Sequence, residues 1–184
     1  MGLLAAFDVL LNRYTGQDRL VVGCPTTGRK SAEQKGLVGY LVNPVAIAVD
    51  AGGDPPFAEL LARVRGAALA AFALQDYPLP LLAERLHPER DPGLPPLFQV
   101  MCVLQKGRRE EEEGLAALSV GEAGGRVGTG PLVLESLALA LPGAQLDLSL
   151  ALAETARGLS GRLVYNRDLF EPATVARMAS HLES

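Results

Sequence analysis

The stretch Gly36–Asp50, GLVGYLVNPVAIAVD, joins two glycines to a run of apolar, largely β-type residues. It predicts a strand that ends in the acidic, Gly-rich turn over residues 50–54. Asn43 precedes Pro44 within this run. Because proline lacks a backbone N–H and restricts the residue before it, we expect the strand at a sheet edge, a bulge or a seam. A core strand with an irregular start is the alternative.

Helical and strand patterns alternate along the rest of the chain. Helices are predicted from the N-terminus to about residue 13, over 55–72 with Asp54 as the N-cap, over 81–86, and from Pro172. Further strands are predicted over Leu20–Cys24, Leu97–Leu104, Leu132–Leu139, Leu146–Leu152 and Leu159–Tyr165. We expect the last three to be sequential antiparallel neighbours, and Leu146–Leu152 to be buried on one face. This order predicts helices packed on a mixed sheet in a two- or three-layer α/β sandwich.

Two features indicate irregular or truncated parts. Gly121–Gly130 carries five glycines, so we expect a mobile excursion with almost nothing to bury, after a solvated acidic run at Glu110–Glu113. The first helix begins at Met1 without a capping residue, which suggests a fragment cut inside or just before a helix.

Composition excludes several classes of function. The 184 residues carry 17 Lys and Arg against 21 Asp and Glu, a net charge of -4, so there is no basic surface for nucleic acid or anionic lipid. No apolar run approaches the length needed to cross a bilayer. The two cysteines, Cys24 and Cys102, are far apart and form no metal motif, which favours a reduced, cytoplasmic chain.

A search for catalytic chemistry gives no candidate in this chain. His87 and His181 are the only histidines, and each stands alone, so neither a metal site nor a Ser/His/Asp constellation is predicted. The glycines of Gly121–Gly130 lack the spacing and the flanking strand of a phosphate-binding loop.

Four blocks carry a family resemblance. They read VGYLVNP at Val38–Pro44, LQDYPLP at Leu74–Pro80, RDPGLPPLF at Arg90–Phe98 and LVYNRDLF at Leu163–Phe170. In this order they resemble (V/I)GxFVNT, (H/N)QDxPFE, RDxSxNPLF and LxYNxDLF of the C-terminal lobe of a nonribosomal peptide synthetase condensation domain. The chain departs from these motifs at several positions, which include Pro44, Leu74, Leu79, Pro80 and Pro95.

The resemblance implies a chloramphenicol-acetyltransferase-like α/β sandwich, with residues 1–184 as one lobe. The HHxxxDG motif of the family's N-terminal lobe is absent, since the sequence has no adjacent histidines. Such a lobe implies a wall, a floor loop near Thr26–Gly36 and a latch within Lys106–Gly130, all facing a tunnel. In this tunnel a donor acyl or peptidyl thioester and an acceptor aminoacyl thioester are joined by an amide bond. Without the N-terminal lobe, this lobe is expected to be inactive.

The resemblance also implies partners and site residues. The expected partners are the N-terminal lobe, donor and acceptor peptidyl carrier proteins and neighbouring synthetase domains. Phosphopantetheine is expected on the carrier proteins and no cofactor on this chain. The resemblance also implies a role in antibiotic biosynthesis. The candidate tunnel residues are Tyr40, Asn43, Pro44 and Ser149. The candidate floor-loop and structural residues are Arg29, Gln75, Asp76, Arg90 and Asp91.

Several alternatives stay open. Asn43 could offer its amide to the pantetheine arm or have a structural role in a turn. A non-catalytic docking or scaffold module for carrier proteins, or a lobe of a CoA-dependent acyltransferase, could have these motifs too. For an isolated lobe we expect an exposed apolar seam around Tyr40–Pro44 and the edge of Leu146–Leu152. We also expect fast amide exchange over Arg108–Gly130.

Overall fold

The computed structural model describes residues 1–29, 31–86, 93, 95–106, 116, 118–137, 143–155 and 158–184. They form two compact units, Met1–Met101 with Ser180–Ser184, and Cys102–Ala179. Each unit combines helices with β-strands, which confirms the predicted mixed α/β class.

The first unit contains the helices that the periodicity predicts, with shifted ends. They are α1 (Gly2–Thr15), α3 (Phe57–Ala73) and α4 (Leu79–Leu86), and a further short helix that was not predicted, α2, spans Ala32–Lys35. Helix α1 ends at Gly16, whose φ of 68° is the left-handed conformation that glycine tolerates best. Helix α3 buries Leu60, Val64 and Ala68, four residues apart on one face. Helix α4 starts two residues before the predicted Leu81, because a proline is tolerated in the first turn of a helix.

The strands of the first unit follow the order β2-β1-β3, with β1 at Arg19–Thr26, β2 at Asn43–Asp50 and β3 at Val100–Lys106. Strand β1 is antiparallel to β2 and parallel to β3, so the sheet is mixed. The Pro44-containing strand is therefore an edge strand, as the proline predicts. It begins at Asn43 rather than Gly36. The buried residues that form the core around these strands include Leu20, Val22, Val45, Ile47 and Val49.

The start of β3 is placed by a close contact with β1. Phe98 is buried, and a Cβ at Gly23 would overlap its ring. Leu97 has a φ of 75°, an uncommon value for a residue with a side chain. The N–H of Phe98 donates to the carbonyl of Pro96 at 3.1 Å across this turn. Glycine in β1 is thus required for Phe98 to pack there.

The second unit contains residues 102–106 of β3, which crosses the boundary between the units, followed in the sheet by β6 (Leu148–Thr155) and β7 (Gly158–Tyr165). Strands β6 and β7 are antiparallel over their full length, from Leu148↔Tyr165 to Thr155↔Gly158, as predicted. Helix α5 spans Pro172–Glu183, and its residues up to Ala179 belong to this unit. On β6 the alternating Leu148, Leu150 and Leu152 are buried, and the strand has a neighbour on each side. The expectation of an exposed edge at Leu146–Leu152 is therefore wrong.

Two other expectations for this unit are also wrong, namely that Gly121–Gly130 has almost nothing to bury and that the strand at Leu132–Leu139 is a neighbour of Leu146–Leu152. Part of the predicted mobile excursion forms β4 (Arg126–Thr129), which pairs with β5 (Leu132–Glu135) in a separate two-stranded sheet. The side chain of Val127 is buried, so this segment does have something to bury. Strand β5 is consequently a neighbour of β4 and not of β6. The run Glu110–Glu113 lies outside the described residues.

Candidate functional site

The candidate site in the first unit lies where β1 ends and β2 begins. In the antiparallel register Pro25 faces Pro44 and Thr26 faces Asn43. Neither proline has an N–H to donate, so the ladder is weakened here. The hydroxyl of Thr26 donates to the carbonyl of Asn43 at 2.7 Å and holds the two strand ends together. The described part of the intervening chain, residues 27–29 and 31–42, leaves the sheet as a loop that includes the short helix α2.

Asn43 ties the start of β2 to the turn between α3 and α4. Its Nδ2 donates to the carbonyls of Gln75 at 2.8 Å and Tyr77 at 2.9 Å, and its Oδ1 accepts from the N–H of Leu79 at 3.2 Å. Both amide hydrogens are thus used inside the chain. These hydrogen bonds assign Asn43 a structural role in the turn and leave its amide no hydrogen for a pantetheine arm.

The other residues of the LQDYPLP block shape the same turn. The side chain of Gln75 donates to the carbonyl of Phe72 at 2.9 Å and so satisfies a carbonyl at the end of α3. Asp76 is exposed within the turn. The guanidinium of Arg85, on α4, lies 5.6 Å from the ring centre of Tyr77, within the range of a cation–π contact.

The loop over residues 27–42 is organised by Arg29. Its guanidinium donates to the carbonyls of Thr27 at 3.2 Å, Leu37 at 3.2 Å and Gly39 at 3.0 Å. Gly28 has a φ of 63°, and a Cβ there would overlap the carbonyl oxygen of Leu41. The guanidinium of Arg29 therefore donates hydrogen bonds to backbone carbonyls at both ends of the loop.

Three apolar side chains of this loop point into solvent. Leu37 is 54% exposed, Tyr40 is 86% exposed, and Val38 is fully exposed. Neighbouring exposed apolar residues of this kind mark interaction surfaces. We call Leu37, Val38 and Tyr40 the loop surface. The expected seam thus includes Tyr40 but begins before it, because the exposed group extends to Leu37.

The remaining candidates do not add to this arrangement. Pro44 is half-buried on β2, and Ser149 is half-buried on β6 of the second unit, where it faces Val164. Arg90 and Asp91 lie outside the described residues, so no structural role is assigned to them.

The described residues provide little of the chemistry that a catalytic centre requires. Nδ1 of His181 lies 3.0 Å from the hydroxyl of Tyr14, while His87 is outside the described residues. Within the described ranges no group of three or more His, Cys, Asp or Glu could hold a metal ion. The same ranges contain no helix that is long and apolar enough to span a membrane.

One ionisable residue escaped the sequence analysis. Asp8, on α1, is buried, and burial raises the pKa of its carboxyl from 3.8 to about 7. The sequence contains a signal for this burial, since Asp8 stands at helical spacing from the apolar residues Leu4 and Leu11. A carboxylate is, however, almost never fully buried unless it has a partner.

Comparison with known proteins gives consistent matches over the whole chain. The family model for the condensation domain matches residues 1–184. A linear gramicidin synthase of Brevibacillus parabrevis is 42% identical over 100% of the chain and 3% of its own length. Phosphinothricin tripeptide synthetase PhsB of Streptomyces viridochromogenes is 40% identical over 98% of the chain and 14% of its own length.

Solved structures agree with these sequence matches and confirm the predicted fold class. Holo-AB3403, a four-domain nonribosomal peptide synthetase, matches 99% of this chain with a TM-score of 0.87 at 25% identity, and 14% of that structure's chain is covered. The X-domain from teicoplanin biosynthesis matches 98% with a TM-score of 0.77 at 28% identity, and 39% of its chain is covered. The chain thus spans well under half the length of the relatives it matches.

Proposed function

Because this chain belongs to the condensation-domain family, we propose that it is the C-terminal lobe of such a domain in a nonribosomal peptide synthetase. It forms a wall, the floor loop and the latch of the tunnel in which two carrier-bound thioesters meet. The family match over all 184 residues is the observation that carries the proposal. The match to 39% of the teicoplanin X-domain chain supports a part of a domain.

The reaction joins a donor acyl or peptidyl thioester to an acceptor aminoacyl thioester. The acceptor amine attacks the donor carbonyl carbon, an amide C–N bond forms, and the donor C–S bond breaks to release a thiol that takes up the proton lost by the amine. The thioesters are carried on phosphopantetheine by partner carrier proteins, and this chain binds no cofactor of its own. Its contribution is positioning of the reactants, which can lower a bimolecular barrier substantially.

The chain is inactive alone under this proposal. A group that orients or deprotonates the amine must lie within hydrogen-bond reach of it. The two histidines of the sequence are isolated, and His181 is already engaged with Tyr14. The HHxxxDG motif therefore has to come from the N-terminal lobe. We also place the protein in the cytoplasm, where its two widely separated cysteines stay reduced.

Specific roles follow for the candidate residues. Arg29 holds the floor loop in shape through three carbonyls, and Tyr40, Pro44 and Ser149 face the tunnel. Asn43, with Gln75 and Asp76, braces the turn beside it. Arg90 and Asp91 are assigned to structural support of the motif in which they lie.

The test separates association from catalysis. The chain is mixed with two loaded carrier proteins, with or without an N-terminal lobe that has the HHxxxDG motif, and amide product is measured by mass spectrometry. Sedimentation velocity measures binding between the lobes. We expect product only in the mixture with both lobes. Leu37→Asp should weaken binding, whereas Leu69→Asp should not, because both leucines are 54% exposed but Leu69 lies on α3.

Three results would decide against parts of the proposal. Amide formation by the chain alone that survives replacement of both histidines would show that the second lobe is not required. Binding without product in the mixed sample would favour a docking or scaffold module. Equal effects of the two aspartate substitutions would show that the loop surface is not the contact.

A further inference from the structure

Arg162 on β7 reaches out of the sheet to a segment that precedes β4. It faces Ala151 of β6 in the strand register, and its Nη2 donates to the carbonyl of Ser119 at 3.2 Å. Gly121 has a φ of 71°, and a Cβ there would lie 2.6 Å from Nη1 of Arg162. The guanidinium therefore occupies the space that the missing side chain of Gly121 leaves.

The same segment packs on β6 beside this contact. Ala116, Val120 and Ala153 are buried together, and Ala151 packs against them. Successive side chains of a strand point to opposite faces, so Ala151 and Ala153 lie on the face opposite to Leu152. The segment thus covers a second face of β6, and alanines at these positions let its backbone approach closely.

Ser136 joins this segment to the end of the β4–β5 hairpin. Its hydroxyl donates to the carbonyl of Glu122 at 2.6 Å and accepts from the N–H of Gly125 at 2.8 Å. Its N–H donates to the carbonyl of Gly125 at 2.8 Å, and its carbonyl accepts from the N–H of Gly124 at 3.0 Å. These hydrogen bonds therefore join residues 118–137, which we call the strap, into one element.

Closure of the strap leaves two polar atoms unpaired. Nε of Arg162 and Oε2 of Glu122 are buried, and neither has a hydrogen-bond partner within the part of the chain that the structure describes. Burial of an unpaired polar atom is unfavourable, and opening would return both atoms to water. The free energy that keeps the strap closed is therefore smaller than its contacts alone suggest.

We propose that the strap opens and closes as one unit on the β6–β7 sheet, with the Arg162–Ser119 contact as its clasp. Strand β5 is exposed along its whole length, and Leu132, Val133 and Leu134 move with the strap. Each opening thus moves an apolar surface without unfolding the sheet beneath it. Residues 118–130 of the strap lie within the range expected for the latch, but the inference does not rest on the proposed function, since it concerns only contacts inside this chain.

Hydrogen–deuterium exchange of the full chain tests the proposal. Arg162→Met removes the clasp, and Gly121→Ala disrupts it from the strap side. Either substitution should speed exchange of the strap amides about tenfold or more while the amides paired between β6 and β7 keep their rates. The control is Arg177→Met, because Arg177 is exposed on α5 and, within the described residues, makes only a 3.4 Å bond to Thr174.

Each alternative outcome is distinguishable. Unchanged strap exchange in Arg162→Met would show that the clasp does not hold the strap. An equal increase in the β6–β7 amides would show that Arg162 supports the sheet in general. Faster exchange in residues 118–122 with an unaltered β4–β5 hairpin would show that the strap is two elements. Any of these results overturns the proposal.

Discussion

Asp8 should make the stability of the first unit depend on pH. Its side chain lies on the inner face of α1, where the residue is 1% exposed. Neither carboxylate oxygen has a hydrogen-bond partner among the described residues. Burial without a partner disfavours the charged form, which is why the pKa rises from 3.8 to about 7.

The sign and size follow from proton linkage. Between pH 3.8 and about 7 the folded chain keeps a proton on Asp8 that the unfolded chain has lost. The free energy of unfolding therefore falls as the pH rises through this window, by about 1.4 kcal/mol per unit. The total is about 4 kcal/mol, and roughly 3 kcal/mol of it falls between pH 5 and pH 8.

The assay is urea denaturation followed by far-UV circular dichroism at four pH values from 5 to 8. Asp8→Asn keeps the shape of the side chain and removes its titration. We expect the variant to gain stability relative to the wild type as the pH rises, by about 3 kcal/mol over this range. Asp54→Asn is the control, because the side chain of Asp54 is 87% exposed and pairs only with the exposed Arg13 in the described structure.

A constant difference between the wild type and Asp8→Asn from pH 5 to pH 8 would refute the reasoning. It would mean that Asp8 ionises equally well in the folded and unfolded chains. A pH dependence shared by Asp54→Asn and the wild type is expected, since that variant keeps the buried carboxyl. Loss of the dependence in Asp54→Asn would point to a surface effect.

Two further predictions concern contacts of the first unit. Asn43→Ala leaves two carbonyls and one N–H of the α3–α4 turn without their partner, so urea denaturation should show a loss of about 2–4 kcal/mol; a loss below about 0.5 kcal/mol would mean that the turn does not depend on this amide. Gly23→Ala should cost about 1–3 kcal/mol because its methyl group overlaps the ring of Phe98. Phe98→Leu in the Gly23→Ala background should recover part of this cost, whereas strictly additive effects in the double-mutant cycle would contradict the contact.

Local periodicity accounts for the elements that were predicted correctly. The inner face of α3 is visible as Leu60, Val64 and Ala68, and the buried face of β6 as its alternating leucines. Pro44 indicated an edge strand, because the missing N–H is a property of the residue itself. Each of these signals depends on the chain within a few residues.

The β4–β5 hairpin shows where local signals fail. Its glycines indicated a segment with almost nothing to bury, yet Val127 is buried and Ser136 joins the hairpin to Glu122. Glycine content reports how much conformational freedom a segment has to lose. It does not report the packing and hydrogen bonds that offset that loss.

The sequence by itself determined the types of the main elements, the edge position of β2 and the family motifs. Each of these depends only on residues that are close together in the chain. Tertiary structure alone decided that Asn43 braces a turn more than thirty positions away, that Arg162 reaches Ser119, and that Asp8 is buried. An amide, a guanidinium or a carboxylate has the same donors and acceptors wherever it stands. Which groups meet, and which lose their water without a partner, depends on how distant segments pack.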